Sequence, residues 1–195
     1  MRKINLKRDE SRKKRRNQLI AGLVLILIMF FSTVGYSFIG FNKEQENQGN
    51  TEKIIYKSFE FTKQNSFWLL NKDGINFVFK YNPKQLEGFN HGLIFLTMSN
   101  YYGKPLYIYS ENIESEFEIY RNFDRISQRM QSACLEQEQN CKENSPIKTC
   151  EDNFIIIKPS NSSEIIRENN CIFINGPSQD LVKLTDEFLF KILGI

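Results

Sequence analysis

The stretch that decides the fold of this chain is SFWLLNKDGINFVFKY, residues 66–81. Two runs rich in aromatic and aliphatic residues, Ser66–Leu70 and Ile75–Tyr81, flank the tetrapeptide that ends in Asp73-Gly74. An Asp-Gly pair between two such runs is a strong signal for a tight β-hairpin turn. Alternate residues from Ile75 to Tyr81 share one apolar face, as in a strand with one buried side. The segment therefore predicts an antiparallel hairpin within a sheet.

Further short runs of β-branched and aromatic residues predict more strands on either side of this hairpin. Pro83 and Gly88 interrupt the pattern after the hairpin. The predicted strands are Lys53–Thr62, Leu93–Met98, Pro105–Tyr109, Phe154–Lys158, Ile165–Arg167 and Cys171–Ile174.

Two segments have a helical period. Within Ile113–Asn140 apolar residues recur at steps of four, three, four and three, which places them on one helical stripe. This stripe consists of Ile119, Phe123, Ile126, Met130 and Ala133. A second helix is predicted from Ser178, as N-cap, to Leu193, and Gly194 ends it. Its predicted buried stripe consists of Leu181, Leu184, Phe188 and Ile192. The order of elements predicts an α+β domain, with two helices packed on a largely antiparallel sheet.

The N-terminal region predicts a membrane anchor. Leu19–Phe41 carries no charged residue, and a helix of that length spans about 34 Å, enough for a hydrocarbon core of roughly 30 Å. Nine basic residues precede it: Arg2, Lys3, Lys7, Arg8, Arg12, Lys13, Lys14, Arg15 and Arg16. Basic residues next to a span resist translocation, so we expect the N-terminus in the cytoplasm and the C-terminal domain outside it. A cleaved signal peptide, with an apolar core at Leu19–Phe31, is the alternative.

This pattern divides the chain into a basic cytoplasmic tail (1–17), a transmembrane helix (18–41), a polar linker (42–52) and an extracytoplasmic α+β domain (53–195). Residues 1–16 carry a net charge of +7, so the overall +3 leaves −4 on the remainder. The basic tail is therefore interpreted as a topological signal that also contacts anionic headgroups of the lipid bilayer. A nucleic-acid partner is not expected.

The four cysteines, Cys134, Cys141, Cys150 and Cys171, predict disulfides. Their spacings contain no C-x-x-C pair, and no histidine partner completes a zinc site. An even number of cysteines outside the cytoplasm suits an oxidising compartment. Three pairings are possible. A hairpin of Ile155–Lys158 with Ile165–Arg167 would bring Cys150 opposite Cys171, which leaves Cys134 to pair with Cys141.

The sequence contains no catalytic, cofactor-binding or metal-binding motif. Nucleophile elbows, phosphate-binding loops, dinucleotide fingerprints and paired-histidine metal motifs are absent from the sequence. His91 is the only histidine and stands in a predicted turn, so a structural or solvated role is expected. Acid–base chemistry by scattered carboxylates stays open, because sequence does not report which of them meet in space.

Two groups of residues could form a partner surface. Arg121, Arg125 and Arg129 are spaced by four and would line one side of the first helix, either docking an acidic partner or glycan or forming a solvated face partly paired with Glu118. Tyr107 and Tyr109 share one face of a predicted strand and could form an aromatic platform, or pack in the core. Tyr101 and Tyr102 lie nearby in sequence.

The segments Arg16–Gly22 and Ser32–Phe38, the cysteine set and the ending Asp180–Gly194 resemble a group of uncharacterised archaeal single-pass membrane proteins. The resemblance implies the same membrane location and disulfides, and no activity or functional residue. The leading hypothesis is thus a non-enzymatic, membrane-anchored domain that binds an envelope protein or glycan. The alternative is an envelope enzyme, a hydrolase or thiol-handling protein, whose site is not readable from sequence.

Overall fold

The computed structural model describes residues 18–29, 52–92, 95–136, 138, 141 and 144–195. They belong to two units, Met1–Asn50 and Thr51–Ile195. In the first unit residues 18–29 form a helix, α1. No helix within the described ranges has the length and apolar character needed to cross a membrane. The rest of the predicted span (30–41), the basic tail (1–17) and linker residues 42–51 lie outside the described residues.

The second unit is an α+β domain, as predicted, and its described residues contain eleven strands, two α-helices and two short 3₁₀ turns. The strands are β1 Lys53–Tyr56, β2 Phe59–Gln64, β3 Phe67–Lys72, β4 Ile75–Phe79, β5 Pro105–Ser110, β6 Arg129–Ser132, β7 Cys134–Leu135, β8 Ile147–Lys148, β9 Phe154–Pro159, β10 Glu164–Glu168 and β11 Cys171–Gly176. The helices are α2 Ile113–Phe123 and α3 Leu181–Leu193, and the 3₁₀ turns are Pro83–Leu86 and Met98–Asn100.

Strands β1 to β4 form an antiparallel sheet in sequence order. The predicted hairpin is confirmed: β3 pairs with β4, and both turn residues have positive φ, 54° at Asp73 and 79° at Gly74. This conformation matches the right-handed twist of the paired strands. The single strand predicted over Lys53–Thr62 is instead two strands, because Lys57 takes a φ of 47° and turns the chain back.

A second sheet has five strands in the order β10-β11-β9-β5-β6. Only β10 and β11 pair antiparallel, while β11–β9, β9–β5 and β5–β6 are parallel. The prediction of one largely antiparallel sheet is therefore wrong for this half of the domain. The predicted strand Leu93–Met98 is also wrong where it is described, since residues 95–97 have no regular structure and Met98 begins a 3₁₀ turn.

Helix α3 lies between the two sheets. Its Phe190 ring contacts Phe61 of β2 at 5.9 Å and Phe79 of β4 at 4.6 Å between centroids. Its other side packs against β9, β10 and β11 of the second sheet. The predicted stripe Leu181, Leu184, Phe188 and Ile192 is buried, and so are the polar residues Thr185, Asp186 and Glu187. A helix that packs on both sides has little surface left for polar side chains.

The first helix is much shorter than predicted. Helix α2 ends at Phe123, and the chain then turns at Ile126 and enters β6, which pairs in parallel with β5. Ile126 is buried in the turn, and Met130 packs against the core from a strand. Their helix-like spacing arises because a turn and a strand follow a helix in succession. Parallel hydrogen bonding to β5 therefore overrides the local period.

A buried carboxyl pair joins the two helices. Glu118 of α2 and Asp186 of α3 lie close enough for the charge of Glu118 to raise the pKa of Asp186, and both side chains are almost fully buried. Asp186 Oδ2 also accepts from the Tyr81 amide at 2.8 Å, and Arg121 Nη2 lies 3.5 Å from Glu118 Oε1. No donor among the described residues reaches Glu118 Oε2 or Asp186 Oδ1. A proton shared between the two carboxyl groups would provide the hydrogen bond that these oxygens lack.

Both predicted cysteine pairs lie at disulfide distance, with Cα–Cα separations of 5.6 Å for Cys134–Cys141 and 4.9 Å for Cys150–Cys171. The reasoning behind the second pair is wrong. The predicted hairpin of β9 with β10 does not form, because β11 lies between these two strands. Cys171 instead stands beside Phe154 at the start of parallel β9, and Cys150 lies in the turn just before that strand.

The two bridges should contribute unequally to stability. Cys150–Cys171 closes 21 residues and Cys134–Cys141 closes 7. In the chain-entropy model we expect losses of about 3 and about 2 kcal/mol when each bridge is removed. Thermal unfolding of the full chain should give a lower Tm for C150S/C171S than for C134S/C141S. A lower Tm for C134S/C141S would contradict the assignment of the larger constraint to Cys150–Cys171.

Candidate partner-binding surface

The candidate site lies on the face of the five-stranded sheet that is turned away from α2 and α3. Here Leu135 and Cys150, which belong to the cystine segment (residues 134–150), pack against a small second core. Fully or nearly buried residues of this core are Tyr107, Tyr109, Ala133, Phe154, Ile156 and Cys171. Because side chains alternate along a strand, Tyr107 and Tyr109 of β5 both point to this face while Leu106 and Ile108 enter the main core. Of the two interpretations of these tyrosines, core packing is confirmed and the exposed aromatic platform is wrong, since both side chains are buried.

Tyr107 is the centre of a cationic cluster. Arg129, the first residue of β6, donates from Nη2 to Tyr107 Oη at 2.8 Å. Lys148, the last residue of β8, lies over the same tyrosine, with its Nζ 4.2 Å from the ring centroid. Asp152 Oδ1 lies 3.4 Å from Lys148 Nζ. Phe154 packs edge-on against the tyrosine ring at 6.5 Å and fixes its position.

The two cations change the electrostatics of the phenol. The neighbouring Lys148 ammonium lowers the pKa of Tyr107, burial opposes this, and Arg129 lowers the pKa further. In return, the interaction with Tyr107 raises the pKa of Lys148, so its ammonium is retained well above neutral pH. Arg129 is charged at every physiological pH. The cluster therefore carries a fixed positive charge that Asp152 partly offsets.

Tyr109, two residues along the same strand, has acidic neighbours instead. Burial raises the pKa of Tyr109 to about 12, with further contributions from its hydrogen bond to Glu111 and from the charges of Glu111 and Glu138. Its Oη donates to Glu111 Oε1 at 3.1 Å. Glu138 of the cystine segment forms an ion pair with Lys158 of β9. Thus Tyr107 lies in a cationic environment and Tyr109 in an acidic one.

The three arginines do not line one helical face, and that prediction is wrong because only Arg121 belongs to α2. Arg121 Nη2 lies 3.5 Å from Glu118 Oε1, and its guanidinium lies 4.6 Å from the ring centroid of Phe67. Arg125 is exposed in the turn after the helix. Arg129 alone reaches a predicted tyrosine. The Arg121–Glu118 pairing considered from sequence is present.

His91 has a structural position. Its amide donates to Glu187 Oε1 at 2.8 Å, and its Nδ1 lies 2.9 Å from Glu187 Oε2. Lys191 Nζ approaches the same carboxylate at 2.6 Å. Burial alone would raise the pKa of Glu187, but the hydrogen bonds from Lys191 and His91 outweigh burial and lower it. The carboxylate of α3 thereby holds the His91 turn in place.

Sequence analysis missed Lys148 and Asp152. A signal for Lys148 exists, but it requires the sheet register. Cys171, Phe154 and Tyr107 are successive neighbours across β11, β9 and β5. A bridge from Cys150 to Cys171 therefore brings the chain just before Cys150 onto the sheet near Tyr107. Nothing local in the sequence marks Asp152.

The cluster can bind an anion. Arg129 is exposed, and a quarter of the Lys148 side chain is exposed, so both cations can reach a ligand while Tyr107 holds them. A guanidinium presents a planar fork to carboxylate or phosphate oxygens, and an ammonium adds a point charge. No group of three or more His, Cys, Asp or Glu side chains suited to a metal ion occurs within the part of the chain that the structure describes.

No known family, curated protein or solved structure matches this chain. The case for function therefore rests on the geometry of the Tyr107 cluster and on the sequence.

Proposed function

We propose that this protein is a membrane-anchored domain that binds an anionic group of a protein in the cell envelope, through Arg129 and Lys148. The observation that carries the proposal is the convergence of both cations on the Tyr107 side chain, with Arg129 Nη2 2.8 Å from Oη and Lys148 Nζ 4.2 Å from the ring centroid. A buried phenol that orients two partly exposed cations lowers the entropy that each side chain would lose on binding. The site is thus preorganised for a carboxylate or phosphate.

The burial of Tyr107 beneath the two cations supports a role in recognition rather than a merely solvated pair of charges. Tyr107 is 3% exposed, so its ring and hydroxyl are fixed while the cations lie at the surface. Asp152 neutralises part of the charge, which leaves one unit of positive charge for the ligand. Ion pairs at such partly exposed positions give specificity and association rate more than raw affinity. A moderate, salt-sensitive interaction is expected.

The membrane anchor is the second part of the proposal and rests on the sequence. Span 18–41 and the nine basic residues before it support insertion with the N-terminus in the cytoplasm. The two cysteine pairs at disulfide distance suit an extracytoplasmic domain. The linker would hold this domain near the lipid bilayer, and the resemblance to archaeal single-pass proteins agrees with that location. With all four cysteines paired, a thiol-handling activity loses support.

Quantitative affinity capture from native membranes tests the proposal. The full chain is compared with R129Q, K148Q and the double variant. Because hydrogen bonds to charged groups contribute about 1.5–3 kcal/mol each, we expect each single change to reduce recovery of the partner by about tenfold or more. Recovery by the wild type should also fall as salt is raised.

The matched control is R125Q, which removes an exposed arginine of the same predicted series outside the cluster. It should recover as much partner as the wild type. Equal recovery by the double variant and the wild type would refute the proposal, and so would an equal loss with R125Q.

A further inference from the structure

A cavity of about 400 Å³ lies away from the Tyr107 cluster. It is open to solvent and bounded by the β3–β4 turn, the 3₁₀ turn at Met98–Asn100 and the carboxyl end of α3. Its apolar walls are formed by Ile75, Phe77, Met98, Ile126, Ile192 and Leu193. Its volume falls within the usual range of small-molecule sites, roughly 300–1,000 Å³.

The cavity is preformed by core residues. Phe77, Ile126 and Ile192 are at most 3% exposed, so they also belong to the packed interior. Because they are held on a strand, a turn and a helix, these walls cannot collapse without disturbing the core. A cavity of ~150 Å³ lined by similar side chains can hold benzene, so this one has room for a larger apolar molecule.

Two polar groups at the rim form hydrogen bonds within the protein. Thr97 Oγ1 hydrogen-bonds Ser99 at 2.7 Å, and the Gly194 amide donates to the Lys191 carbonyl at 3.1 Å. Lys72 Nζ lies 3.5 Å from Asp73 Oδ2, so the two charges of the described lining offset each other. The carboxyl end of α3 further disfavours an anion at the opening. The rim therefore disfavours an anionic head group.

We propose that this cavity, the hairpin cavity, binds an uncharged apolar molecule with the size and polarity of a medium-chain alcohol. The proposal is independent of the anion site. Its ligand would contact the apolar walls with its chain and place one hydroxyl near Ser99.

Methionine methyl NMR of the full chain in lipid nanodiscs tests the proposal, with 1-octanol as the probe. The chain has four methionines, Met1, Met29, Met98 and Met130. Met98 lines the cavity, Met130 in β6 reports on the fold, and Met29 in the predicted span reports on octanol dissolved in the bilayer. We expect a saturable shift of the Met98 signal with little change at Met130. A Met98 shift that is absent, or that merely follows Met29 without saturating, would overturn the proposal.

Two further comparisons test the site and the ligand class: S99F against S66F, and octanoate against octanol. S99F should fill the opening and abolish the saturable Met98 shift, whereas S66F, at an exposed serine between β2 and β3, should leave it intact. An unchanged Met130 signal would show that S99F is folded. Octanoate should bind at least about fivefold more weakly than octanol. Tighter binding of octanoate would refute the uncharged ligand class.

Discussion

Phe190→Ala is expected to lower the free energy of unfolding by about 3–5 kcal/mol. The ring lies between the two sheets, where it contacts Phe61 and Phe79 of the first. Removing it leaves a cavity that rigid neighbours cannot fill, because each belongs to a different strand. For a domain of this size, such a loss would lower Tm by roughly 10 °C or more. Denaturant and thermal unfolding of the full chain measure the effect.

Phe117→Ala is the matched control, since Phe117 also lies in a helix but is 56% exposed. Its expected effect is below about 1 kcal/mol. Comparable losses in the two variants would contradict the central position of α3.

Glu118→Gln is expected to stabilise the protein at alkaline pH and to have little effect in acid. Burial raises the pKa of Glu118 to about 7, and burial together with the charge of Glu118 raises the pKa of Asp186. Arg121 and Lys80 oppose the rise at Glu118, and Glu114 adds to it. A carboxyl whose pKa is raised on folding favours the folded state below its unfolded pKa of about 4.3, and this contribution is lost as pH rises through about 7.

Glutamine needs no proton at this position, and its amide can donate to Asp186. At pH 8 we therefore expect the free energy of unfolding of E118Q to exceed that of the wild type by on the order of 2–3 kcal/mol. At pH 4 the two proteins should be nearly equal. Chemical denaturation across this range measures the difference, and Glu168→Gln, at an exposed position of β10, is the control. Parallel stability curves for E118Q and the wild type would disprove the shared proton.

Local sequence patterns predict the elements whose structure depends on neighbouring residues in the chain. The Asp73-Gly74 turn, the strands around Phe154 and Cys171, and the buried stripe of α3 each follow from a period or a turn signal within one segment. The strand order of the second sheet could not be predicted from local patterns, because parallel pairing joins residues far apart in the chain. Helix α2 was overextended for the same reason, since the β5–β6 pairing ends it.

The candidate site was predictable only in part. Tyr107 and Arg129 were identified separately, but their contact depends on the parallel register of β5 and β6. Lys148 required both a disulfide and a sheet order to be known. The carboxyl pair Glu118–Asp186 was invisible because 68 residues separate its members, and sequence carries no signal for that proximity.

The position of β11 has a consequence for the folding of the domain. This strand lies between β9 and β10, although both precede it in the chain. Until β11 enters, β9 exposes an unpaired edge along the run Phe154-Ile155-Ile156-Ile157. An apolar β-branched edge of this kind recruits strands from other chains. We therefore expect newly made protein to be most prone to aggregate before β11 enters, and the Cys150–Cys171 bridge then ties the first residue of β11 to the turn just before β9.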